Sequence, residues 1–505
     1  MKFGSIATGS QESLNTAKDI LKEGGNAFDA GIAAVFTSMV SEFALTGAGG
    51  GGILMGMEQN KSPIIYDFFV DCPIKNKNNF DFKNISVDFG NTIQEFHIGK
   101  GSTAIPGNIA GLIDIHQKKG KLPLGVILQP AIDMSKNGII LSKHQAYINS
   151  LIQPILTNSE IGRSLFIKNN KFLEKGDTFR NPDFSNFLQI LSKDGKKFLY
   201  NGEGAEIIEK FYSNGGFLNK NNLNNYKIHT RKPLHINIEG YDVFTNPAPS
   251  YGGTLMIFLL SLLKKTNLLN SDIITLVKAM ELTSMVRNKI CKDPDNEMEI
   301  SNILNKSILN KYSKLLIDES FIGDTTKLSG FGSTTHVSII DKDYNVVSVT
   351  TTNGEGCGEF IPEFGIMMNN MLGEEDLNPF GFHQWNTVRR LPTMLCPTII
   401  LKNNKPIYAI GSGGSNRIRS AITQVIINTI IKKMDLQEAV DTSRVHLEGK
   451  KLFVEPGIHL PKSKYLEHLD LELFKNKSLF FGGVNCAGLN SAVGDSRRGG
   501  VGEVF

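Results

Sequence analysis

Gly332-Ser333-Thr334-Thr335-His336-Val337-Ser338-Ile339-Ile340 begins on hydroxyl residues and continues as a β-branched stretch. Asp341-Lys342-Asp343-Tyr344-Asn345 has turn chemistry, and Val346 to Thr352 is a second β-branched stretch, so the segment predicts a hairpin with a five-residue loop. Setting Ile340 opposite Val346 fixes the other pairs. Thr334 then faces Thr352, His336 faces Thr350 and Ser338 faces Ser348 on one side, while Val337/Val349 and Ile339/Val347 fill the other. One face is rich in hydroxyls and the other is apolar. An ordinary half-buried hairpin shows the same alternation, so the meaning of this one depends on the rest of the chain.

Motifs elsewhere supply that meaning. Ala17 to Val35 reads as two helices joined through Gly24-Gly25-Asn26-Ala27. Further on stand Gly47-Ala48-Gly49-Gly50-Gly51-Gly52, Ile105-Pro106-Gly107, Gln129-Pro130-Ala131, Asn246 to Gly253, Pro397 to Ile400 and Gly411-Ser412-Gly413-Gly414. In kind and order these segments resemble the γ-glutamyltranspeptidases over nearly the whole chain, with Thr334-Thr335-His336 matching the start of that family's small subunit.

The resemblance implies an α/β fold, the four-layer αββα sandwich of N-terminal-nucleophile hydrolases. It also implies cleavage before Thr334, giving a large subunit 1–333 and a small subunit 334–505 from one interleaved domain. A threonine freed at its own N-terminus is a self-sufficient nucleophile, because its α-amine, with a pKa of roughly 8, can take the hydroxyl proton. No cofactor and no metal is needed. Thr352 matches the threonine that orients the nucleophile in the family, and Gly413-Gly414 matches its oxyanion-binding pair. Glycine-lined turns suit that task because their N–H groups are unobstructed.

The resemblance is weaker where substrate is bound. The family holds the donor's α-carboxylate with an Arg in an Asp-Phe-Arg-Glu segment, whereas Asp67-Phe68-Phe69-Val70-Asp71 puts Phe69 there. After Asn369-Asn370, the family's Gln and Asp become Met371 and Glu374, and its paired serines become Thr393-Met394. Asn353, Asn370, Glu374, Thr393 and Ser415 are therefore the candidate substrate-binding residues, with Glu374 able to take an ammonium group. Arg389, Arg390 and Arg417 are the nearest substitutes for the missing Arg by sequence. Cys357 has no evident base beside it and reads as a buried thiol; His336 and His383 read as structural.

Composition narrows the class. The chain has 505 residues, is 40% hydrophobic and has a formal charge of +4, with basic residues dispersed among acids, which gives no support for nucleic-acid or membrane-surface binding. Met256 to Leu263 ends at Lys264-Lys265, too short for a membrane span and suited to a buried helix. Asn/Lys-rich patches, Lys75 to Asn84 and Asn219 to Lys227, read as surface loops. Five widely spaced cysteines without a C-x-x-C pair argue against a disulfide framework or zinc site. With an N-terminus lacking the apolar stretch of a secretion signal, they predict a reduced, cytoplasmic protein. The partners expected are a small γ-glutamyl or acyl-amide substrate and the two subunits of the precursor, which are compatible with a homo-oligomer of processed heterodimers.

Among secondary elements, the pattern predicts helices at Ser10 to Glu23, Ala27 to Glu42, Asn108 to Lys119, Leu124 to Asn137, Lys143 to Leu156 and Arg417 to Met434. It predicts strands at Ile53 to Met57, Ile64 to Phe69, Ile366 to Asn369, Thr398 to Leu401 and Pro406 to Gly411.

Overall fold

The hairpin forms in the predicted register, Ile340 opposite Val346 through Thr335 opposite Thr351. Its turn is held by one carboxylate. Asp341 Oδ1 accepts the backbone N–H groups of Asp343 and Asn345, both at 2.9 Å, and Oδ2 accepts the Ala27 N–H at 2.9 Å, tying the turn to the start of a helix. The structure, a computed structural model, describes residues 2–75, 79–88, 93–291, 296–323, 333–378, 381–385 and 387–505. Gly332 and parts of the Lys75 to Asn84 patch and of the stretch after Asn378 lie outside these residues.

The hairpin is the centre of a seven-stranded antiparallel sheet. In spatial order its strands are His229–Arg231, Ile64–Phe68, Gly51–Met57, Val346–Thr352, Thr335–Asp341, Gly4–Thr8 and Val501–Val504. The strand that follows Thr334 thus lies between one from the extreme N-terminus and its own hairpin partner, so the two sides of the expected cut share one sheet. A second antiparallel sheet runs Leu234–Ile238, Tyr241–Thr245, Thr398–Lys402, Lys405–Gly413, Gly483–Gly488 and Ala492–Val493.

Helices cover the outer faces. Gln11–Lys22 and Ala27–Ser41 lie over the first sheet; the second of these is buried on every side and carries an Asn26/Asp29 capping box. Val337, Ile339, Val347 and Val349, the apolar face of the hairpin, join these helices in one core. Tyr251–Lys265 and Arg417–Ile426 cover the second sheet, whose core includes Ile399, Ile400, Ala409 and Ile410. The layers are helix, sheet, sheet, helix.

The hydroxyl-rich face points into the gap between the sheets. Ser338 Oγ donates to Asn485 O at 3.1 Å, Ser348 Oγ donates to Ile410 O at 3.1 Å and accepts the Thr398 N–H at 3.1 Å, and Asn485 Nδ2 donates to His336 O at 2.8 Å. His336 contacts Thr350 Oγ1 through Nδ1 at 2.7 Å and Ser338 Oγ through Nε2 at 2.9 Å. Burial pushes its imidazole down to about 3, so it stays neutral. This is the structural histidine that the sequence suggested.

Some elements depart from the expected bounds. The helix expected over Lys143 to Leu156 is two, Lys143–Leu151 and Gln153–Leu156, with Pro154 in the first turn of the second, where its missing N–H costs nothing. Arg417 to Met434 is an α-helix only to Ile426 and then a π-helical turn, Ile427–Ile431. Of Ile366 to Asn369 only Ile366–Met367 pairs as strand. Lys405–Gly413 runs two residues beyond the expected end, which makes Gly413 its last strand residue.

Gly411 sits under the His336 ring, and a methyl group there would stand 2.2 Å from His336 Cε1. Gly411→Ala should therefore force the sheets apart and lower stability by ~3 kcal/mol or more, read as a drop in the thermal unfolding midpoint, while Ala409→Gly on the same strand should leave the gap intact.

Candidate functional site

Thr334 lies at the mouth of the inter-sheet gap, only 4% exposed. It precedes the first residue of its strand, and its backbone is pressed against the end of Lys405–Gly413: a methyl group at 413 would stand 2.1 Å from the Thr334 carbonyl oxygen. Only glycine permits that approach. The Gly413-Gly414 turn is pinned from below by Asp376, whose carboxylate accepts Ser415 Oγ at 2.6 Å and Asn416 Nδ2 at 2.9 Å. The Arg498 guanidinium stands beside both glycines.

Both backbone polar groups of Ser333 are engaged. Its carbonyl accepts the hydroxyl of Thr352 in a short hydrogen bond, and its N–H donates to Glu355 Oε1 at 3.2 Å. The Thr352 hydroxyl accepts the Gly354 N–H at 3.0 Å, which leaves it one further lone pair. The resemblance assigned Thr352 to the Thr334 oxygen; in the uncut chain its proton goes instead to the carbonyl that this oxygen would attack.

Beyond Thr352 the chain turns at Gly354, φ 62°, over the head groups of Asn370 and Glu374. Asn370 Oδ1 accepts the Glu355 N–H at 3.0 Å. Glu355, buried, and Glu374, half-buried but with its Oε1 buried, are thus neighbours. Burial raises both carboxyls, Glu355 well above the usual range with Glu374 adding repulsion, and Glu374 up to about 8 with Asp376 adding repulsion. Among the described residues, Glu355 Oε2 and Glu374 Oε1 have no hydrogen-bond partner. On the helix side, Thr335 Oγ1 donates to Glu42 Oε1 at 2.9 Å, and burial pushes Glu42 up to about 7.

The structure therefore gathers Thr334, Thr352, Gly413, Gly414, Asn370 and Glu374 around one peptide bond, with Ser415 bracing the glycine turn. Asn353 is turned elsewhere, its Nδ2 donating to Met367 O at 3.1 Å and its amide packed on Gly47. Thr393 caps the helix Tyr251–Lys265: its carbonyl accepts the Tyr251 N–H at 2.8 Å, and its Oγ1 accepts the Leu395 N–H at 3.2 Å. Cys357 is buried, its thiol pushed up to about 11, and His383 Nε2 donates to Gly101 O at 3.0 Å within an aromatic cluster of Phe80, Phe82 and Trp385.

Phe69 is buried, and its carbonyl accepts Arg390 Nη1 and, at 2.6 Å, Tyr226 OH. Arg390 also binds Asp71 Oδ1 at 2.9 Å and Asp67 Oδ1 at 3.3 Å, and donates to Lys227 O at 2.6 Å. Arg390 is fully committed to the fold. Arg417, unlike Arg390, lies near the site: its guanidinium is within electrostatic reach of Glu448, Asp376 and Glu355. Glu355, Asp376, Glu42 and Arg498 were not singled out from the sequence. The signal for Glu355 was present, an acid three residues past Thr352 in the Asn353 to Gly358 turn.

The γ-glutamyltranspeptidase family model matches residues 14–504. The chain belongs to that family. It is similar to the glutathione hydrolase proenzyme of Escherichia coli, 28% identical over 92% of this chain and 85% of the relative. It is 30% identical to the capsule biosynthesis protein CapD proenzyme of Bacillus anthracis, over 95% and 87%. In fold it matches the cephalosporin acylase of Bacillus halodurans with a TM-score of 0.84 and 22% identity, covering 100% of this chain and 96% of that one.

Two outcomes are expected. Thr352→Val keeps the shape and removes the proton on the Ser333 carbonyl, so conversion of precursor to two chains should slow about tenfold to a hundredfold on denaturing gels, with little change in unfolding midpoint. The second concerns pH. Glu42, Glu355 and Glu374 all titrate higher in the folded chain than the usual 4.5, so the folded state holds protons that the unfolded state has lost. For Glu42 and Glu374 that stabilisation is complete below about pH 4.5 and is lost as pH rises through about 7 to 8. Uncut Thr334→Ala protein should melt a few degrees lower at about pH 9 than at about pH 6, and Glu374→Gln should flatten that fall.

Proposed function

We propose that the protein is a self-processing threonine amidohydrolase that cleaves γ-glutamyl amides, glutathione or a related compound, through an acyl-enzyme on Thr334, with water or an amine as acceptor. The observation that carries this reading is the Ser333 carbonyl held on the Thr352 hydroxyl, directly before a threonine seated on the Gly413-Gly414 turn.

In the first turnover the chain is its own substrate. Thr334 Oγ adds to the Ser333 carbonyl carbon as its proton is removed, the Thr352 hydroxyl bonds to the developing oxyanion, and the C–N bond breaks with the proton delivered to the leaving amine. Water then hydrolyses the ester, releasing chain 1–333 and leaving 334–505 with a free α-amine. That amine takes the Thr334 hydroxyl proton in later cycles, the Oγ–acyl bond forms, the substrate's amine departs with the proton, and an acceptor takes the acyl group. Asn370 and Glu374, under the Gly354 turn, are the groups proposed to receive the donor's ammonium.

Specificity is expected to depart from that of the glutathione hydrolases. Phe69 cannot hold a carboxylate, and Arg390 is committed to Asp67 and Asp71. A charge-assisted hydrogen bond contributes roughly 1.5 to 3 kcal/mol, so a free-α-carboxylate donor should lose about tenfold to a hundredfold in kcat/KM unless Arg417 supplies the charge. This also keeps a second reading in view, an acylase acting on a different acyl group.

Wild-type protein should yield chains 1–333 and 334–505, with N-terminal sequencing of the smaller starting at Thr334, while Thr334→Ala stays full length. A single intact band from active protein would rule the mechanism out. Comparing kcat/KM for a γ-glutamyl anilide, its α-amide and a glutaryl anilide measures specificity; exclusive preference for the free γ-glutamyl donor would show that another cation, with Arg417 first to be substituted, has replaced the family's Arg.

A further inference from the structure

The Ser333 N–H faces a carboxylate, which the family resemblance does not account for. We propose that Glu355 is a positioning residue for self-cleavage, fixing by its hydrogen bond to the Ser333 N–H the orientation of the residue whose carbonyl Thr334 attacks. The proposal rests on the reading of Ser333–Thr334 as the cleaved bond.

Residue 333 has two soft torsions, one on each side of its Cα. The Thr352 hydroxyl fixes the peptide plane on the carbonyl side, and by itself leaves the other free to swing. Glu355 Oε1, at 3.2 Å from Ser333 N, fixes that second plane. With both set, the carbonyl is presented to Thr334 at one angle rather than over a range, and a misplacement of about 1 Å at a reacting centre is enough to cost about a hundredfold in rate.

Glu355 is itself placed with care. It is 1% exposed, its own N–H is held by Asn370 Oδ1 at 3.0 Å, and the turn before it at Gly354 is braced by Asn370 and Glu374. Glu374, Asn370 and Arg417 are the polar and charged groups around it. A buried acid with one oxygen unpartnered among the described residues costs stability, and the chain keeps it beside the one peptide bond it must break. The oxygen accepts an N–H in both of its protonation states, so the role calls for an acceptor of this length and not for a negative charge.

Glutamine supplies the same acceptor; leucine supplies the volume without it. Freshly translated precursor would be followed on denaturing gels for wild type, Glu355→Gln and Glu355→Leu, and the unfolding midpoints of Thr334→Ala and Thr334→Ala/Glu355→Leu would be compared in uncut protein. Glu355→Leu should convert at least about tenfold more slowly, Glu355→Gln within about threefold of wild type, and the two uncut proteins should melt within about 2 °C of each other. Wild-type conversion by Glu355→Leu, a Glu355→Gln variant as slow as Glu355→Leu, or a clear drop in midpoint on adding Glu355→Leu would each overturn the proposal. Failure of wild type itself to yield a chain starting at Thr334 would instead overturn the reading on which it rests.

Discussion

The closeness of the two sheets is the constraint on which the rest of the structure depends. The gap between them is lined by His336, Ser338, Ser348 and Asn485, and each of these satisfies a partner across it or along it. Buried polar groups of this kind tolerate no slip, because an unmade hydrogen bond in a dry space costs roughly 1 to 3 kcal/mol. A shift of one residue along the hairpin would also put Val337 and Ile339 into the polar gap and His336 into the helix layer. The register that brings Thr334 to Thr352 is therefore enforced by the packing of the sheet as a whole.

The same closeness sets the chemistry at the end of the gap. Where the strand Lys405–Gly413 ends, its last glycine lets Thr334 lie directly on it, and the following turn is anchored by Asp376 through Ser415 and Asn416. The peptide bond before Thr334 is thereby held between a rigid turn on one side and the Thr352 to Glu355 segment on the other. Precision of this kind is easier to build on the ends of strands than on free loops.

Around that bond the chain tolerates an unfavourable electrostatic arrangement. Glu42, Glu355 and Asp376 are buried and Glu374 is half-buried, all with raised affinities for protons, and several of their oxygens have no partner among the described residues. Perturbed acids gathered at one place are characteristic of functional sites. The arginines are divided between two tasks. Arg390 and Arg497 lock distant segments through Asp67, Asp71, Glu455 and Asp495, whereas Arg417 and Arg498 lie at the edge of the site. In each of the adjacent pairs Arg389-Arg390 and Arg497-Arg498, one arginine belongs to this internal bracing.

What was legible in the sequence was local and periodic. Alternation of period two and a five-residue turn placed Thr334 opposite Thr352 and assigned the hydroxyls to one face, because both depend only on backbone geometry within the hairpin. The glycine pair and Phe69 were legible because their positions follow motifs that are contiguous in the chain. Tertiary structure decided the rest: that the polar face meets the second sheet and not solvent, that Arg390 is consumed by Asp67 and Asp71, that Asn353 turns to Met367, and that Glu355 reaches the Ser333 N–H. Each of these depends on segments from distant parts of the chain converging in one place. An acid's neighbours and its proton affinity come from the burial that convergence creates, and no spacing along the chain encodes them.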